Sequence, residues 1–329
     1  MTKTNQQKVK DFLINNGVII VMFILVIYTG FTSDNFFTKN NFMNILMNMS
    51  SRLVIALGIA GCVITAGCDL SAGRMIGFGA CISGMLLQRM DYSGKFFPDM
   101  QPLNVFVVAL IAMLVCAAFG TVTGFFIAYL NVPPFIATLA MMEIVYGIGL
   151  IVTNATPLGG YVEQYTNVSN GKFLGINYLI WIAIIVAAIT WFIFNMTRHG
   201  KYMYAIGGNP QAAEVAGVPV KKTLIIIYAK AAAMYGLAGF MLGAKSGGAS
   251  VNLGLGYEME AIAACTIGGV SVSGGRGKVS SAIIGVAVFE LLKTALQFLG
   301  VNANAQWIAL GVIIFVAISL DIRKYVARK

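Results

Sequence analysis

Acidic side chains inside long apolar runs are the residues of this sequence best placed to do chemistry. Glu143 lies within one such run, and Glu258 and Glu260 begin another. A charge in apolar surroundings is costly, so each carboxylate is expected to serve a function or to have a partner. Glu143 is deep enough in its run to carry a coupling ion or proton. Glu258 and Glu260 lie near the outer interface and could bind ligand hydroxyls, be solvated or contact a docking partner. Glu290 and Lys293, three residues apart, are expected to neutralise each other on one helix face.

Other reactive side chains do not form a catalytic or metal-binding pattern. The five cysteines lie in or beside apolar runs without C-x-x-C spacing, which indicates buried thiols. His199 has no metal-ligating residue at the usual spacing and predicts no metal site. Gly274–Lys278 resembles a phosphate-binding loop, but Val272 and Val279 replace the Gly and the Ser or Thr that this motif needs. The sequence therefore predicts neither an enzyme nor a nucleotide site.

The elements that must position these residues are membrane helices. Hydrophobic residues make up 58% of the 329 residues and charged residues only 10%, whereas soluble proteins have about 25% charged residues. So few charges cannot cover a water-exposed surface, and most of the surface must face lipid. The 22 Lys and Arg residues lie mostly at the joints between apolar runs and form no patch, which excludes a nucleic-acid-binding protein.

Helix number follows from the length of the apolar runs, because about 20 residues cross a bilayer. The sequence predicts an all-α, polytopic membrane protein with about ten transmembrane helices in a single domain, residues 1–329. The ten predicted runs are 14–33, 43–66, 73–90, 104–130, 134–153, 177–195, 223–243, 257–272, 279–299 and 306–322.

The distribution of basic residues predicts the orientation of these helices. With a cytoplasmic N-terminus, most basic residues fall in inside segments, as the positive-inside rule requires. These segments include the N-terminal tail 1–13, the connection 196–222 and the C-terminal tail 323–329. The outside segments contain few basic residues, namely Lys39, Lys95, Lys172 and Lys245. Both termini are therefore predicted to be cytoplasmic.

The connection 196–222 is predicted to contain a short helix. Asn209 suits the N-cap, Pro210 the first helical position and Gly217 the residue after the C-cap. A capped connection without any partner would show the same pattern. Its length, however, exceeds that of the other inside connections and favours a docking function.

A second irregular segment is predicted near the cytoplasmic end of the second apolar run. Gly67, Ser71 and Gly73 should interrupt the helix there. Asp69 and Arg74 are expected to form a salt bridge that either holds a kink beside a transport path or closes a tight turn. These two alternatives remain open on the sequence.

Four motifs in register resemble those of the sugar-type ABC importer permeases. The likeness covers nearly the whole chain and is greatest to the galactose and methyl-galactoside branch, also through Leu57–Gly61 and Leu320–Asp321. The four motifs are Gly67–Arg74, Leu130–Leu139, Gly207–Val218 and Tyr257–Ala264 with its continuation Gly268–Gly277.

The resemblance implies the ABC importer permease fold in a bacterial inner membrane, and a transport subunit that is not itself an enzyme. It implies galactose, methyl-galactoside or glucose as cargo; ribose, xylose or a nucleoside is the alternative. It also implies three protein partners in the lipid bilayer or at its surfaces. These are a second copy of the chain, a cytoplasmic ATP-binding subunit that holds ATP and magnesium, and a periplasmic or surface sugar-binding protein. This chain then binds no cofactor. A self-contained secondary transporter is a further alternative.

The resemblance also indicates which residues carry the function. Contact with the ATPase is expected to rest on the small apolar residues Ala212, Ala213, Val215 and Ala216. Glu214 is expected to remain free to pair with a basic residue of the ATPase. The full coupling set is Gly207, Gly208, Asn209, Pro210, Ala212, Ala213, Glu214 and Gly217. The substrate-path candidates are Asp69, Ser71, Arg74, Pro134, Phe135, Thr138, Glu143, Tyr257 and Glu258. The pair Pro133–Pro134 must break the chain before the fifth run, and an ordinary turn is favoured over sugar contact there.

Overall fold

The computed structural model describes residues 5–326, so the outermost parts of the two predicted tails, 1–4 and 327–329, lie outside the described residues. Helices dominate the described part, with one short antiparallel hairpin. In chain order the elements are α1 (Asn5–Thr32), α2 (Lys39–Ile64), α3 (Ala72–Leu86), α4 (Val105–Tyr129), α5 (Pro134–Thr153), α6 (Glu163–Asn170), β1 (Lys172–Phe173), β2 (Ile176–Asn177), α7 (Tyr178–Met196), α8 (Arg198–Gly208), α9 (Pro210–Val215), α10 (Val220–Ser246), α11 (Tyr257–Gly268), α12 (Val279–Phe298) and α13 (Ala303–Val326).

Each of the ten predicted apolar runs overlaps one of these helices, which confirms the prediction of a mainly helical, multi-pass protein. Within the described residues, six helices are long and apolar enough to cross a bilayer, namely α2, α4, α5, α7, α10 and α12. Three shorter apolar helical stretches are Ile20–Thr32, Ala72–Leu86 and Asn304–Val316. Because α3 and α11 span only 15 and 12 residues, the number of ten crossings stays a prediction.

The centre of the bundle is α10, which packs against α2, α3 and α4. Small residues allow this close approach. A Cβ atom at Gly236 of α10 would collide with the backbone of Ala112 in α4, and one at Gly285 of α12 would collide with the carbonyl of Ala264 in α11. These helices therefore meet backbone to backbone.

Burial differs strongly among the long helices. The most apolar window of α2 is 78% buried, whereas those of α4 and α7 are 22% buried and that of α5 is 28% buried. The outer faces of α4, α5 and α7 carry exposed apolar side chains such as Phe106, Ile151 and Phe192. Their composition suits contact with lipid or with another subunit.

Both predicted interruptions are present. The α2 helix ends at Ile64 and α3 begins at Ala72, and Ala66 between them has a φ of 57°. Residues 67–71 lie almost entirely inside the protein. The second break separates α4 from α5, which starts at Pro134. The first break brings irregular backbone into the interior of the bundle, where other helices must cover it, whereas residues 130–133 of the second break are mostly exposed.

Candidate functional site

Arg52 of α2 forms two ion pairs with acids of α11 and α12. Its Nε atom donates to Glu260 Oε2 at 3.1 Å, and its Nη1 atom donates to Glu290 Oε2 at 2.5 Å. Lys293 Nζ donates to the other oxygen of Glu260 at 3.1 Å. The carboxylates of Glu260 and Glu290 are 5% and 2% exposed. We call these four residues the charge network.

The charge network corrects one prediction. Glu290 and Lys293 do not neutralise each other along α12, because Glu290 pairs with Arg52 and Lys293 pairs with Glu260. Two bases and two acids from three helices meet at one buried place, so each charge finds its partner on a neighbouring helix. Such an arrangement offsets the cost of removing the charges from water.

A cavity of about 260 Å³ adjoins the charge network. It lies between α2, α10, α11 and α12, and every lining residue except Leu242 carries a polar group. We call it the polar cavity. Its lining residues are Asn48, Ser51, Arg52, Leu242, Lys245, Tyr257, Glu290, Lys293 and Gln297.

A wider cleft of about 670 Å³ adjoins the polar cavity. The two spaces share Asn48, Lys245 and Gln297, and the ammonium of Lys245 donates to the Asn48 side-chain oxygen. Five asparagines dominate this space, which we call the asparagine cleft: Asn35, Asn40, Asn41, Asn44 and Asn48. Amide side chains both donate and accept hydrogen bonds, so the two spaces suit an uncharged ligand rich in hydroxyl groups.

Among the predicted path residues, Tyr257 lines the polar cavity. It begins α11, and the Arg52 guanidinium carbon lies 5.1 Å from the centre of its ring. Asn48, Lys245 and Gln297 were not predicted as site residues. The signal that could have found them is the concentration of amides and bases at the ends of otherwise apolar helices.

Asp69 occupies the break between α2 and α3 and is 2% exposed. Its carboxylate accepts hydrogen bonds from the backbone and hydroxyl of Ser71 at 3.0 and 2.6 Å, and from the hydroxyl of Tyr235 at 3.2 Å. The predicted salt bridge with Arg74 is therefore wrong. Asp69 precedes α3 and turns toward α10, whereas Arg74 lies in the first turn of α3 and turns toward other neighbours.

Those neighbours are an amide and an aromatic ring. Arg74 Nη1 donates to Asn252 Oδ1 at 2.6 Å, and the guanidinium carbon lies 3.8 Å from the centre of the Tyr146 ring. Glu258 is 6% exposed and packs against Gly73 at the start of α3. Asp69, Arg74 and Glu258 thus connect α3 to its surroundings and lie apart from the lining of the polar cavity.

The remaining path candidates belong to α5. Pro134 begins this helix, and Phe135 beside it is 56% exposed. Thr138 is buried, and its hydroxyl donates to the Pro134 carbonyl at 2.9 Å. Glu143 lies in the middle of α5 on the exposed surface of the chain. The structure therefore does not bring these residues to the polar cavity.

The short helix predicted in the connection 196–222 is confirmed. It is α9, and the side chain of Asn209 accepts a hydrogen bond from the backbone of Ala212 at 2.9 Å. Pro210 occupies the first helical position, and Gly217 follows the helix with a φ of 83°. The sequence identified these caps because they depend only on residues within a few positions of one another.

The helix α8 precedes α9 and was not predicted. It fixes the connection 196–222 to the rest of the chain, because the Tyr204 hydroxyl donates to the Gly277 carbonyl at 2.8 Å. A Cβ atom at Gly207 would collide with the carbonyl of Ile64 and with the backbone of Gly275. The end of α8, the end of α2 and the loop before α12 therefore form one tight junction. This junction connects the segment that carries α9 to the end of α2, just before the break that contains Asp69.

Exposure corrects the predicted contact surface of α9. Ala213 is only 4% exposed because it packs against its own chain, and its carbonyl accepts from the backbone of Val218 at 3.0 Å. Val215 is 92% exposed, and Ala212, Glu214 and Ala216 are exposed as well. The surface available to a partner therefore excludes Ala213 and centres on Val215.

Within residues 5–326, no three His, Cys, Asp or Glu side chains converge as metal ligands would. Four of the predicted buried thiols are buried, and Cys68 is half-buried.

Comparison with known proteins agrees with the motifs. The chain is 40% identical, over all of both chains, to the galactose/methyl galactoside import permease protein MglC of Escherichia coli (strain K12). It is 40% identical over its full length to the MglC of Haemophilus influenzae. The ribose import permease protein RbsC of Escherichia coli (strain K12) is 33% identical over 96% of each chain.

No solved structure matches this chain. The similarity to sugar import permeases that the motifs predict is nevertheless confirmed by these relatives. The family model described as the branched-chain amino acid transport system / permease component matches residues 41–317. Because this match covers most of the chain, the protein belongs to that family of permeases.

Proposed function

We propose that this chain is the membrane-spanning subunit of an ATP-driven importer of a monosaccharide, with galactose and methyl galactoside as the first candidates. The named relatives at 40% identity over the full length support this cargo. Ribose is the second candidate, because a ribose import permease is 33% identical. The structural observation that carries the proposal is the exposed helix α9, attached through α8 to the core of the bundle.

Energy reaches the transport path through this attachment. A cytoplasmic ATP-binding subunit, which holds the ATP and magnesium, docks onto Val215 and its exposed neighbours Ala212, Glu214 and Ala216. Closure of that subunit pulls on α9, and the junction of Gly207 with Ile64 passes the movement to α2 and the break before α3. A short helix laid in a partner's groove is a common mode of recognition.

The chain lies in the bacterial inner membrane with both termini in the cytoplasm. With ten crossings, most basic residues lie on the cytoplasmic side, as the positive-inside rule requires. In this topology α9 lies in the cytoplasm and the connection 154–176 lies outside the cell membrane. That outer connection receives the sugar-binding protein. It is well anchored, since the Tyr165 hydroxyl donates to the Phe240 carbonyl at 2.7 Å and Ser169 donates to the Ala244 carbonyl at 3.0 Å.

A second copy of the chain completes the transporter, and Glu143 supports this part of the proposal. A carboxylate halfway along a 20-residue apolar helix is costly to place against lipid. A second copy would cover it and give it water or a partner. The same position argues against a self-contained secondary transporter, because Glu143 is not enclosed by its own chain as an ion-coupling site would be.

The experiment that tests this function is a substitution on α9. Val215→Arg places a long cation at the centre of the docking surface and should weaken binding of the ATP-binding subunit by about 2–4 kcal/mol. The permease should still insert and fold, because Val215 is 92% exposed. The measurements are co-purification of the ATP-binding subunit and uptake of D-galactose in vesicles that contain ATP.

Gln164→Arg provides the control, since it adds the same charge to the exposed surface of α6 at the predicted outer face. It should leave co-purification unchanged. Normal co-purification and uptake in Val215→Arg would overturn the assignment of α9 as the docking element. Uptake of D-galactose that persists without any ATP-binding subunit would overturn the importer itself.

A further inference from the structure

We infer that Arg74 of one copy of the chain forms an ion pair with Glu143 of a second copy, so that two such pairs cross the interface of the dimer. This inference rests on the proposed function, which includes a second copy, and it names the residue that meets Glu143. In a two-fold symmetric dimer both copies present the same surface, so a contact from Arg74 to Glu143 is repeated from Glu143 to Arg74. A surface that carries both charges is therefore self-complementary.

Glu143 supplies the negative charge of this surface. It lies in the middle third of the 20-residue helix α5, and its side chain is exposed. Among the ion pairs of the described residues, none involves Glu143. A carboxylate at this depth is costly against lipid, so a base from outside the chain would stabilise it.

Arg74 supplies the positive charge at nearly the same depth. Its guanidinium carbon lies 3.8 Å from the ring centre of Tyr146, which follows Glu143 by three residues in α5. Three residues rise by about 4.5 Å along a helix, a distance that a long Arg side chain can span. A two-fold axis along the membrane normal keeps each residue at one depth in both copies. Arg74 therefore lies at the right level to reach Glu143 of the second copy.

The charge of Arg74 is not neutralised within the described part of its own chain. Its Nη1 atom donates to the uncharged amide of Asn252 at the surface, and its Nε atom has no hydrogen-bond partner there. The charge of Arg74 acts on Glu258, but that side chain is buried against Gly73 and forms no ion pair with Arg74. A guanidinium has five N–H donors, so donors remain for an acid from outside the chain.

Other partners suit these two charges less well. Lipid phosphates lie at the surfaces of a hydrocarbon core about 30 Å thick, and so about 15 Å from its middle. Arg52 and Lys293 are already paired inside the chain, and Lys230 lines a cleft beside α7. Arg74 lies beside α5 itself, because its guanidinium contacts a ring of that helix.

The face of α5 around Glu143 also has a shape that suits another helix. Ala140 and Gly147 lie about one turn before and after Glu143, and Ala140 is exposed. A Cβ atom at Gly147 would meet no atom within 4 Å, so space remains in front of this glycine. Small residues let two membrane helices approach closely. Such an approach would bring the opposite charges together and remove them from lipid.

Charge reversal tests the pair in the complete transporter, reconstituted in vesicles with the ATP-binding subunit and the sugar-binding protein. Arg74→Glu and Glu143→Arg each place like charges opposite each other at both contacts. Each should lower the fraction of permease dimer in detergent, and D-galactose uptake in vesicles, on the order of tenfold. The double variant reverses both ends of each pair and should recover most of both. Arg74→Glu with Asp34→Arg is the matched control, because it restores only the net charge, at an exposed residue between α1 and α2. It should stay as defective as Arg74→Glu alone.

A second measurement does not depend on the folding of the charge-reversed chains. Two differently tagged permeases, Arg74→Cys and Glu143→Cys, are produced together, and a bifunctional methanethiosulfonate reagent should link them into a product that carries both tags. A link between two Glu143→Cys copies carries one kind of tag and is not counted. In the control, Lys230→Cys replaces Arg74→Cys and should give no product with both tags, because Lys230 lies beside α7. The unsubstituted chain, produced together with Glu143→Cys, corrects for reaction at its own cysteines.

Two results would overturn the ion pair. One is a normal dimer fraction and normal uptake in both single reversals. The other is a product with both tags that is no more abundant than in the Lys230→Cys control. Either result leaves the importer intact, because the unsubstituted transporter would still couple ATP hydrolysis to D-galactose uptake. Failure of the proposed function is distinct, since the unsubstituted transporter itself would then not take up D-galactose or would do so without the ATP-binding subunit.

Discussion

The Nη1 atom of Arg52 lies 2.5 Å from Glu290 Oε2, and this contact joins α2 to α12 beside the polar cavity. The same guanidinium reaches Glu260 of α11. One side chain therefore holds together three helices that enclose the cavity. The charge network therefore holds the walls of the cavity together, and its two bases neutralise its two acids.

Removal of Arg52 should destabilise the bundle. Arg52→Gln leaves two buried carboxylates with Lys293 as their remaining partner in the network. The expected loss of stability is about 3 kcal/mol, the scale for breaking a buried ion pair. Thermal unfolding of the purified permease in detergent measures it. Arg89→Gln is the control, because the pair of Arg89 with Asp91 is largely exposed and should matter by less than about 1 kcal/mol. Equal melting temperatures for the two variants would contradict the structural role of Arg52.

Glu143 should lie close to a second copy of the chain. In Glu143→Cys, a short bifunctional thiol reagent should link two permeases, because the exposed middle of α5 cannot face lipid at low cost. Phe192→Cys is the control on α7, where the exposed side chain is apolar and suits lipid. The measurement is the fraction of linked dimer after denaturing electrophoresis. A linked fraction no higher than that of Phe192→Cys would show that α5 is not covered by a second copy.

The folded permease should become less stable at acidic pH, and His199 should account for part of this loss. Burial lowers the pKa of His199 to about 4, and the charge of Lys230 acts in the same direction. The unfolded chain takes up this proton near pH 6.5, whereas the folded chain does not. The contribution of His199 to stability is therefore complete above about pH 6.5 and is lost as the pH falls toward about 4. His199→Gln should show a smaller drop in melting temperature between pH 7 and pH 5 than the unsubstituted chain. An identical drop would mean that the pKa of His199 is not lowered.

Labelling should reveal the orientation of the chain. In intact cells, a membrane-impermeant thiol reagent should modify Gln164→Cys in α6 and should not modify Gln211→Cys in α9. Both residues are exposed in the structure, so accessibility depends only on the side of the membrane. Permeabilised cells should show labelling at both positions, which controls for reactivity. The reversed pattern in intact cells would place α9 outside and remove the basis for its docking to an ATP-binding subunit.

Local features of the chain were predictable from the sequence. Each apolar run became a helix because hydrophobicity and helix propensity act over short stretches. The N-cap of α9 at Asn209, the glycine after its C-cap at Gly217 and the break between Ile64 and Ala72 also depend on neighbouring residues. The motifs led to the right family for the same reason, since each is a short stretch of sequence.

The pairing of charges was decided only by the tertiary structure. Arg52 precedes its partners Glu260 and Glu290 by 208 and 238 residues, and no local pattern connects them. The spacing of Glu290 and Lys293 favoured a pair within α12. Instead, the packing of α2 against α11 and α12 gives each of these residues a partner on a neighbouring helix. Asp69 and Arg74 separated for a similar reason, because the start of α3 turns them toward different helices. The sequence therefore determined which segments are helices and which family they form. The polar cavity and the buried face of Ala213 arose from the way those helices meet, because packing depends on whole surfaces and not on the order of residues.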